Sequence, residues 1–312
     1  MRYAIGIDTG GTTMKAAVVS ERGEIVDTQT VATPATPEAV IDAAAGIVDT
    51  FCERLRAGGL KHHTYTLTET DVVKTVGFAV PGIVNEKQGI AEFSANLGWK
   101  NFRAQDLLSA RIARPVAFGH DVRTGAHAES HWGVGHANFL FIAIGTGLST
   151  VLVLNHEPVT TGGWVGELGM IPAGVDTRTA VPLERICSAS AIARHAQEAG
   201  LVGSEAGAAD VFSLYDDAHP KARQIIDSAL RSLATALAPV VAVIGPVPIV
   251  IGGGMANRGD ALITHLTDEL TNALGMVPTP PVETAQLGSW AQAQGCALLA
   301  FTADTYEENT HG

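Results

Sequence analysis

Apolar and polar positions alternate along the chain in blocks that name their own elements. Arg2–Asp8 is a short apolar run ending on a carboxylate, and Met14–Val19 is a second apolar run. The turn between them, Thr9-Gly-Gly-Thr-Thr13, is short and glycine-rich. A strand, a tight turn and a returning strand are predicted. Glu24–Val31 continues as a third strand with partial alternation, and Pro34 and Pro37 end it. From Pro37 to Arg56, apolar residues at Val40, Ile41, Ala44, Ile47, Val48, Phe51 and Leu55 recur at helical spacing. Gly58-Gly59 stops that helix. Lys61–Thr70 is polar and reads as a loop, and Val72–Val80 as a buried strand closed by Pro81-Gly82. A hairpin over Ile83–Phe93, a turn at Asn96–Trp99, a helix over Phe102–Ile112 and a short strand at Pro115–Phe118 follow.

Asp121 then opens a helix, Val122–His131, rich in small residues. Phe139–Gly145 and Gly147–Asn155 read as two buried strands around Gly145-Thr146-Gly147. This repeats the strand–glycine–strand device of the N-terminus and suggests two related, sheet-based domains. Gly162–Gly169 is a glycine-rich loop carrying one carboxylate, Glu167. Helices are predicted from Leu183 to Glu198, over Pro220–Val243 with an interruption near Pro239, and over Asp260–Leu274. Pro248–Ile251 is a short strand closed by Gly252-Gly253-Gly254. Trp290–Phe301 is a last apolar helix, and the polar tail Thr305–Gly312 should fray.

Composition narrows the function. The 312 residues suffice for two domains with full cores. Net charge is −12 with no Lys/Arg cluster, which speaks against a nucleic-acid partner because phosphate backbones demand concentrated positive charge. Cys52, Cys187 and Cys296 are scattered, so no disulfide framework or zinc knuckle is suggested. No apolar run reaches membrane-spanning length and no basic-then-apolar leader opens the chain. A cytoplasmic protein without a membrane partner is expected.

The candidate chemistry lies in the turns. Glycines let backbone N–H groups approach an anion, and hydroxyls add donors, so the turn after Asp8 can wrap a phosphate. Asp8 itself would repel phosphate; its natural partner is a bound Mg²⁺. The segment is neither G-x-G-x-x-G nor G-x-x-x-x-G-K-[ST]. Three glycine turns, each after a buried strand, favour a nucleotide held by backbone donors. Asp121, at a helix start, can be an N-cap, a general base, or both.

Taken in order, these pieces resemble the ROK sugar kinases of the actin/hexokinase-like superfamily. The resemblance rests on Asp8-Thr-Gly-Gly-Thr12, Asn96-Leu-Gly-Trp99, Gly119-His-Asp121, Ile144-Gly-Thr-Gly147, Gly166-Glu-Leu-Gly169, Leu183-Glu184 and Ile251-Gly-Gly-Gly254. It implies an α/β fold of two actin-like (ribonuclease H-like) domains around a central cleft. The expected division is 1–118, completed by the C-terminal helix 290–312, against 119–289. It implies transfer of the γ-phosphoryl group of ATP to the 6-hydroxyl of a hexose, as in a glucokinase. Asp121 would be the catalytic base, and Asn96, His120, Glu167 and Glu184 would contact the sugar. Gly10, Gly11, Thr12, Gly145, Thr146, Gly147, Gly252, Gly253 and Gly254 would hold the nucleotide, with Asp8 on Mg²⁺ through water. A homodimer is expected. Lys15, where the family often has a base, reads better as a solvated lysine.

Two departures stand out. Met170 occupies the place of the family's histidine after Gly-Glu-Leu-Gly, and Ile171–Pro182 lacks the family's Cys-x-Cys-x4-Cys loop. The family's structural zinc is therefore not expected. His120 replaces a common asparagine beside the base. Both changes alter the sugar-reading shell, so kinases of N-acetylmannosamine or N-acetylglucosamine are alternatives to glucokinase. A non-catalytic sugar sensor is a third reading, which the retained Asp8 and Asp121 disfavour.

Overall fold

Residues 3–20 fold back on themselves because two apolar runs flank a turn that only small residues fit. The structure, a computed structural model, describes residues 1–94, 97–173 and 180–310, with side chains as far as residue 305. It divides into two compact units. One comprises Met1–Gly135, His156–Val165 and Ser289–Gly312; the other comprises His136–Asn155 and Gly166–Gly288.

The first unit is built on a five-stranded sheet. Strands β1 (Tyr3–Thr9), β2 (Thr13–Ser20) and β3 (Ile25–Ala32) are antiparallel neighbours. Helix α1 (Pro37–Arg56) follows; Thr36 caps it by accepting the Ala39 N–H, and Pro37 sits in its first turn, where a missing N–H costs nothing. Strand β4 (Val72–Val80) pairs in parallel with β1. A three-stranded flap, β5 (Ile83–Asn85), β6 (Ile90–Ser94) and β7 (Trp99–Phe102), leads to α2 (Ala104–Ile112). Strand β8 (Val116–His120) then joins β4 in parallel and completes the order β8-β4-β1-β2-β3. Helix α3 (Asp121–Trp132) follows without a loop. Side chains alternate across β1: Ile5 and Ile7 face α1 and its core, while Ala4 faces the opposite side.

The second unit carries β9 (Phe139–Ile144) and β10 (Leu148–Leu154), an antiparallel pair. Helices α4 (Glu184–Cys187), α5 (Ala189–Glu198), α6 (Ala208–Asp216) and α7 (Pro220–Ile244) come next. Strand β11 (Ile249–Gly252) lies parallel to β9, α8 (Asp260–Leu274) follows, and β12 (Val282–Thr284) pairs in parallel with β11. Leu230, Leu233 and Leu237 of α7 and Leu262, Leu266 and Leu270 of α8 fill the core with Leu140, Ile142 and Ile251. Helix α7 is long and apolar enough to cross a bilayer, yet its apolar stripe is spent on this core.

The last helix, α9 (Ala291–Thr310), returns to the first unit and covers the sheet face opposite α1. It comes into backbone contact. A Cβ at Gly77 would lie 1.7 Å from the Cys296 carbonyl oxygen, and one at Gly6 would lie 2.1 Å from that of Ala293. On the helix itself, a Cβ at Gly295 would lie 1.9 Å from the Thr124 carbonyl oxygen of α3.

Several expectations change in detail. The expected division after residue 118 cuts through β8, whereas β8 and α3 both lie in the first unit, where α9 packs along α3. Pro239 does not interrupt α7, which runs through it. Ser188 divides the segment read as one helix into α4 and α5, since its hydroxyl caps α5 by accepting the Ala191 N–H. Helix α6 and strand β12 were not expected, and the polar tail is helical to Thr310. The polar stretch read as a loop holds a small hairpin, Lys61–His62 with Tyr65–Thr66.

Candidate active site

The first phosphate turn is shaped by its own backbone. Gly10 donates its N–H to the Thr13 carbonyl at 2.9 Å, and Thr33 clamps the turn through its hydroxyl on the Gly10 carbonyl at 2.7 Å. Gly11 and Thr12 are left exposed at the tip. Asp8, at the end of β1, has its Oδ1 buried with no hydrogen-bond partner. Burial, and then the nearby Asp121, push its carboxyl up to about 8, while Lys15 pulls the other way. A buried carboxylate oxygen without a donor, beside a second carboxylate, is a place where a hard cation fits. Lys15 pairs with Asp8 across β1 and β2, but it is not a free surface lysine: Nζ donates to the Ser289 carbonyl at 3.0 Å and lies 5.5 Å from the Trp290 ring centroid.

Asp121 is the first residue of α3, and the cap is His120, not Asp121. His120 Nδ1 accepts the Arg123 N–H at 3.4 Å. Asp121 Oδ1 accepts the Val122 N–H at 2.7 Å, and the Thr124 hydroxyl donates to the Asp121 carbonyl at 2.7 Å. Burial raises the Asp121 carboxyl to about 6, opposed by the Val122 N–H and the Arg123 cation. His120 is buried, its ring donates to the Gly82 backbone, and burial and the Arg123 cation hold it well below the usual histidine range. A neutral ring with Nδ1 as acceptor makes the 3.3 Å approach of that nitrogen to Asp121 Oδ1 a neighbour contact rather than an ion pair.

Beside this turn, Glu86 and Arg123 form an ion pair at 2.9 Å that the sequence reading missed. Glu86 sits at a hairpin tip and Arg123 on a helix face, both of which usually hold solvated charge. A cavity of about 380 Å³ has Glu86, Lys87, Arg123 and Thr160 in its wall. Asn96 lies outside the described residues.

In the second unit, the Gly145 N–H donates to the Gly147 carbonyl at 3.0 Å, and the Gly145 carbonyl accepts from Ala189 at the start of α5 at 2.9 Å. Gly253 has φ 76°, and a Cβ there would lie 2.6 Å from the Ile144 carbonyl oxygen, so the second and third glycine turns meet backbone to backbone. Gly145, Thr146 and Gly254 line a cavity of about 590 Å³ whose far wall is Arg194 and Gln197 of α5 and Ala208 of α6. Its size suits a nucleotide. The sequence reading missed that wall, because α6 has no long periodic stretch to announce it.

Glu167 is fixed by Gly166, whose carbonyl accepts both the Thr150 N–H at 2.8 Å and the Thr150 hydroxyl at 3.0 Å. Glu184 opens α4; its Oε2 lies 3.0 Å from where a Gly147 Cβ would be, and its Cβ lies 3.3 Å from where one on Gly169 would be. The structure thus gathers Glu184, Gly147 and Gly169 in one place. Met170 is exposed.

Known proteins resemble this chain along nearly its whole length. The chain is 29% identical to a glucokinase of Streptomyces coelicolor, over 97% of this chain and 99% of that protein. It is 26% identical to an N-acetyl-D-glucosamine kinase of Escherichia coli, over 95% and 99%. Its fold matches that of a ROK family glucokinase from Streptomyces griseus, in complex with glucose and AMPPNP, with a TM-score of 0.80 at 24% identity over 96% and 99% of the two chains. A profile of the ROK family matches residues 4–303, and the chain belongs to that family.

Proposed function

We propose that this chain, an ATP-dependent carbohydrate kinase, transfers the γ-phosphoryl group to the primary, 6-hydroxyl of a hexose, with Asp121 as the general base. The observation that carries the reading is the Asp121 carboxyl, raised to about 6 at the start of α3 beside a neutral His120. Such a group is ionised at neutral pH yet basic enough to accept the proton of an attacking hydroxyl. His120, Asn96, Glu167 and Glu184 orient the sugar through hydroxyl hydrogen bonds. Backbone donors of the three glycine turns hold the phosphates. Asp8 would hold Mg²⁺ through water, and the ion, when bound, neutralises phosphate charge.

A coupled ADP-release assay across glucose, mannose, allose, N-acetylglucosamine and N-acetylmannosamine tests this. Asp121→Asn should lower turnover by at least ~100-fold with nucleotide binding intact. Near-normal turnover would remove the base assignment. A second reading, an N-acylhexosamine as best substrate, is favoured by Met170: a flexible, exposed thioether can mould around an acetyl methyl where an imidazole would hydrogen-bond. Met170→His should then shift the ranking toward glucose. If glucose already leads and the substitution leaves the order unchanged, the second reading fails.

The same reading makes the protein a cytoplasmic homodimer without a structural zinc or a membrane or nucleic-acid partner. Sedimentation at micromolar concentration should give twice the chain mass; a single-chain mass would remove the dimer.

A further inference from the structure

Arg123 is 4% exposed, and a guanidinium so placed needs partners for its donors. Its Nε donates to Glu86 Oε1 at 2.9 Å and its Nη1 to the Val165 carbonyl at 3.3 Å. The same Glu86 oxygen accepts the His120 backbone N–H at 3.2 Å. The His120 ring in turn accepts the Arg123 backbone N–H at 3.4 Å. These bonds close a ring: Glu86 to the His120 backbone, the His120 imidazole to the Arg123 backbone, and the Arg123 side chain back to Glu86. Asp121 is one of the two residues the ring encloses. Glu86 comes from the turn between β5 and β6, so the ring also anchors the base-bearing turn to the flap.

An ion pair with its cation buried is a weak source of stability, since desolvation consumes much of the Coulombic gain. It does fix geometry, because each donor and acceptor has one direction. We propose that Arg123 and Glu86 are positioning residues for phosphoryl transfer, holding the His120–Asp121 turn so that the Asp121 carboxylate meets the acceptor hydroxyl in one orientation. This rests on Asp121 being the base.

A positioning role has a signature that loosened packing lacks: it lowers kcat while leaving KM for ATP unchanged, and a conservative cation in place of Arg123 restores part of it.

The test uses the full-length enzyme with its best sugar and ATP·Mg²⁺, following kcat and KM for Arg123→Met, Arg123→Lys and Glu86→Gln beside Asp121→Asn. Arg123→Met should lower kcat ~10–100-fold, the scale of a misplaced reacting group, with KM for ATP unchanged. Arg123→Lys should recover only part of kcat, since ammonium lacks the planar fork. Glu86→Gln keeps an acceptor for His120 and should lower kcat less than Arg123→Met, again with KM for ATP unchanged. If Arg123→Met does not fold, Arg123→Lys and Glu86→Gln decide by the same split. Wild-type kcat in the Arg123 and Glu86 variants, with Asp121→Asn inactive, would overturn the positioning role alone. A KM for ATP that rises together with the loss of kcat would reduce the ring to packing and overturn it too. Full activity in Asp121→Asn would remove the base and this proposal together.

Discussion

Asp8 carries a proton where most aspartates do not. Its carboxyl is pushed up to about 8 by burial and by Asp121, so the folded protein without metal binds a proton there that the unfolded chain releases near 4. The sign follows: where the folded state binds more protons, stability falls as pH rises. Asp121, raised to about 6, acts in the same direction at lower pH, and buried His120, held low, acts oppositely below about 6.5. The window from 6.5 to 8 therefore belongs to Asp8. Metal-free protein should lose thermal stability as pH is raised across it. Saturating Mg²⁺ should flatten or reverse that slope, because a cation favours the ionised carboxylate. Thermal unfolding at both pH values, with and without Mg²⁺, checks this; an identical slope in both series would mean that Asp8 does not hold the ion.

Among the elements, the closest packing is made by glycines, and two substitutions should act with opposite sign. Gly77→Ala drives a methyl into the Cys296 carbonyl of α9 and should cost ~3 kcal/mol, at the upper end of ordinary overpacking. Gly46→Ala lies on α1 with open space around it and should stabilise by ~1 kcal/mol, the ordinary helix propensity difference. Urea unfolding of both variants measures the contrast, and equal effects would show that α9 can shift away. Elements with long, regular apolar spacing were legible in the sequence: α1, β4, β9, β10 and α8 fall where the pattern put them. Those decided by one polar contact or by tertiary packing were not. Ser188 splits a helix by capping the next one, Pro239 sits on the exposed side of α7 without ending it, and β12 pairs along the edge that β11 offers. The same holds at the site. Asp8, Asp121 and the glycine turns are readable because backbone approach demands glycine and because they stand at strand ends. Glu86 and Arg123 are not, since nothing local tells a buried ion pair from two solvated charges.

For the whole molecule, the order of folding along the chain is set by where the pieces of each unit lie. The second unit draws on residues between 136 and 288, whereas the first requires α9 from the end of the chain. Fragment 136–288 should unfold cooperatively and bind nucleotide. A chain ending at 288 should keep that transition and lose the first unit's, since Ala4, Ala17, Val19 and Val73 would have no cover. Limited proteolysis should then leave a protected fragment starting near residue 136. Protection of the first 135 residues in the truncated chain would contradict this.

That helix also sets a schedule during synthesis. The first strand leaves the ribosome long before the residues that cover it, Ala293 and Ala297. At about 5–20 residues per second the interval is roughly 15–60 s. Throughout it, the nascent protein carries a formed or forming sheet with one apolar face open to every neighbour on the polysome. The cell must shield that face, and synthesis that stops short of Ala293 would yield a product that holds the whole sheet yet lacks the cover for its oldest surface.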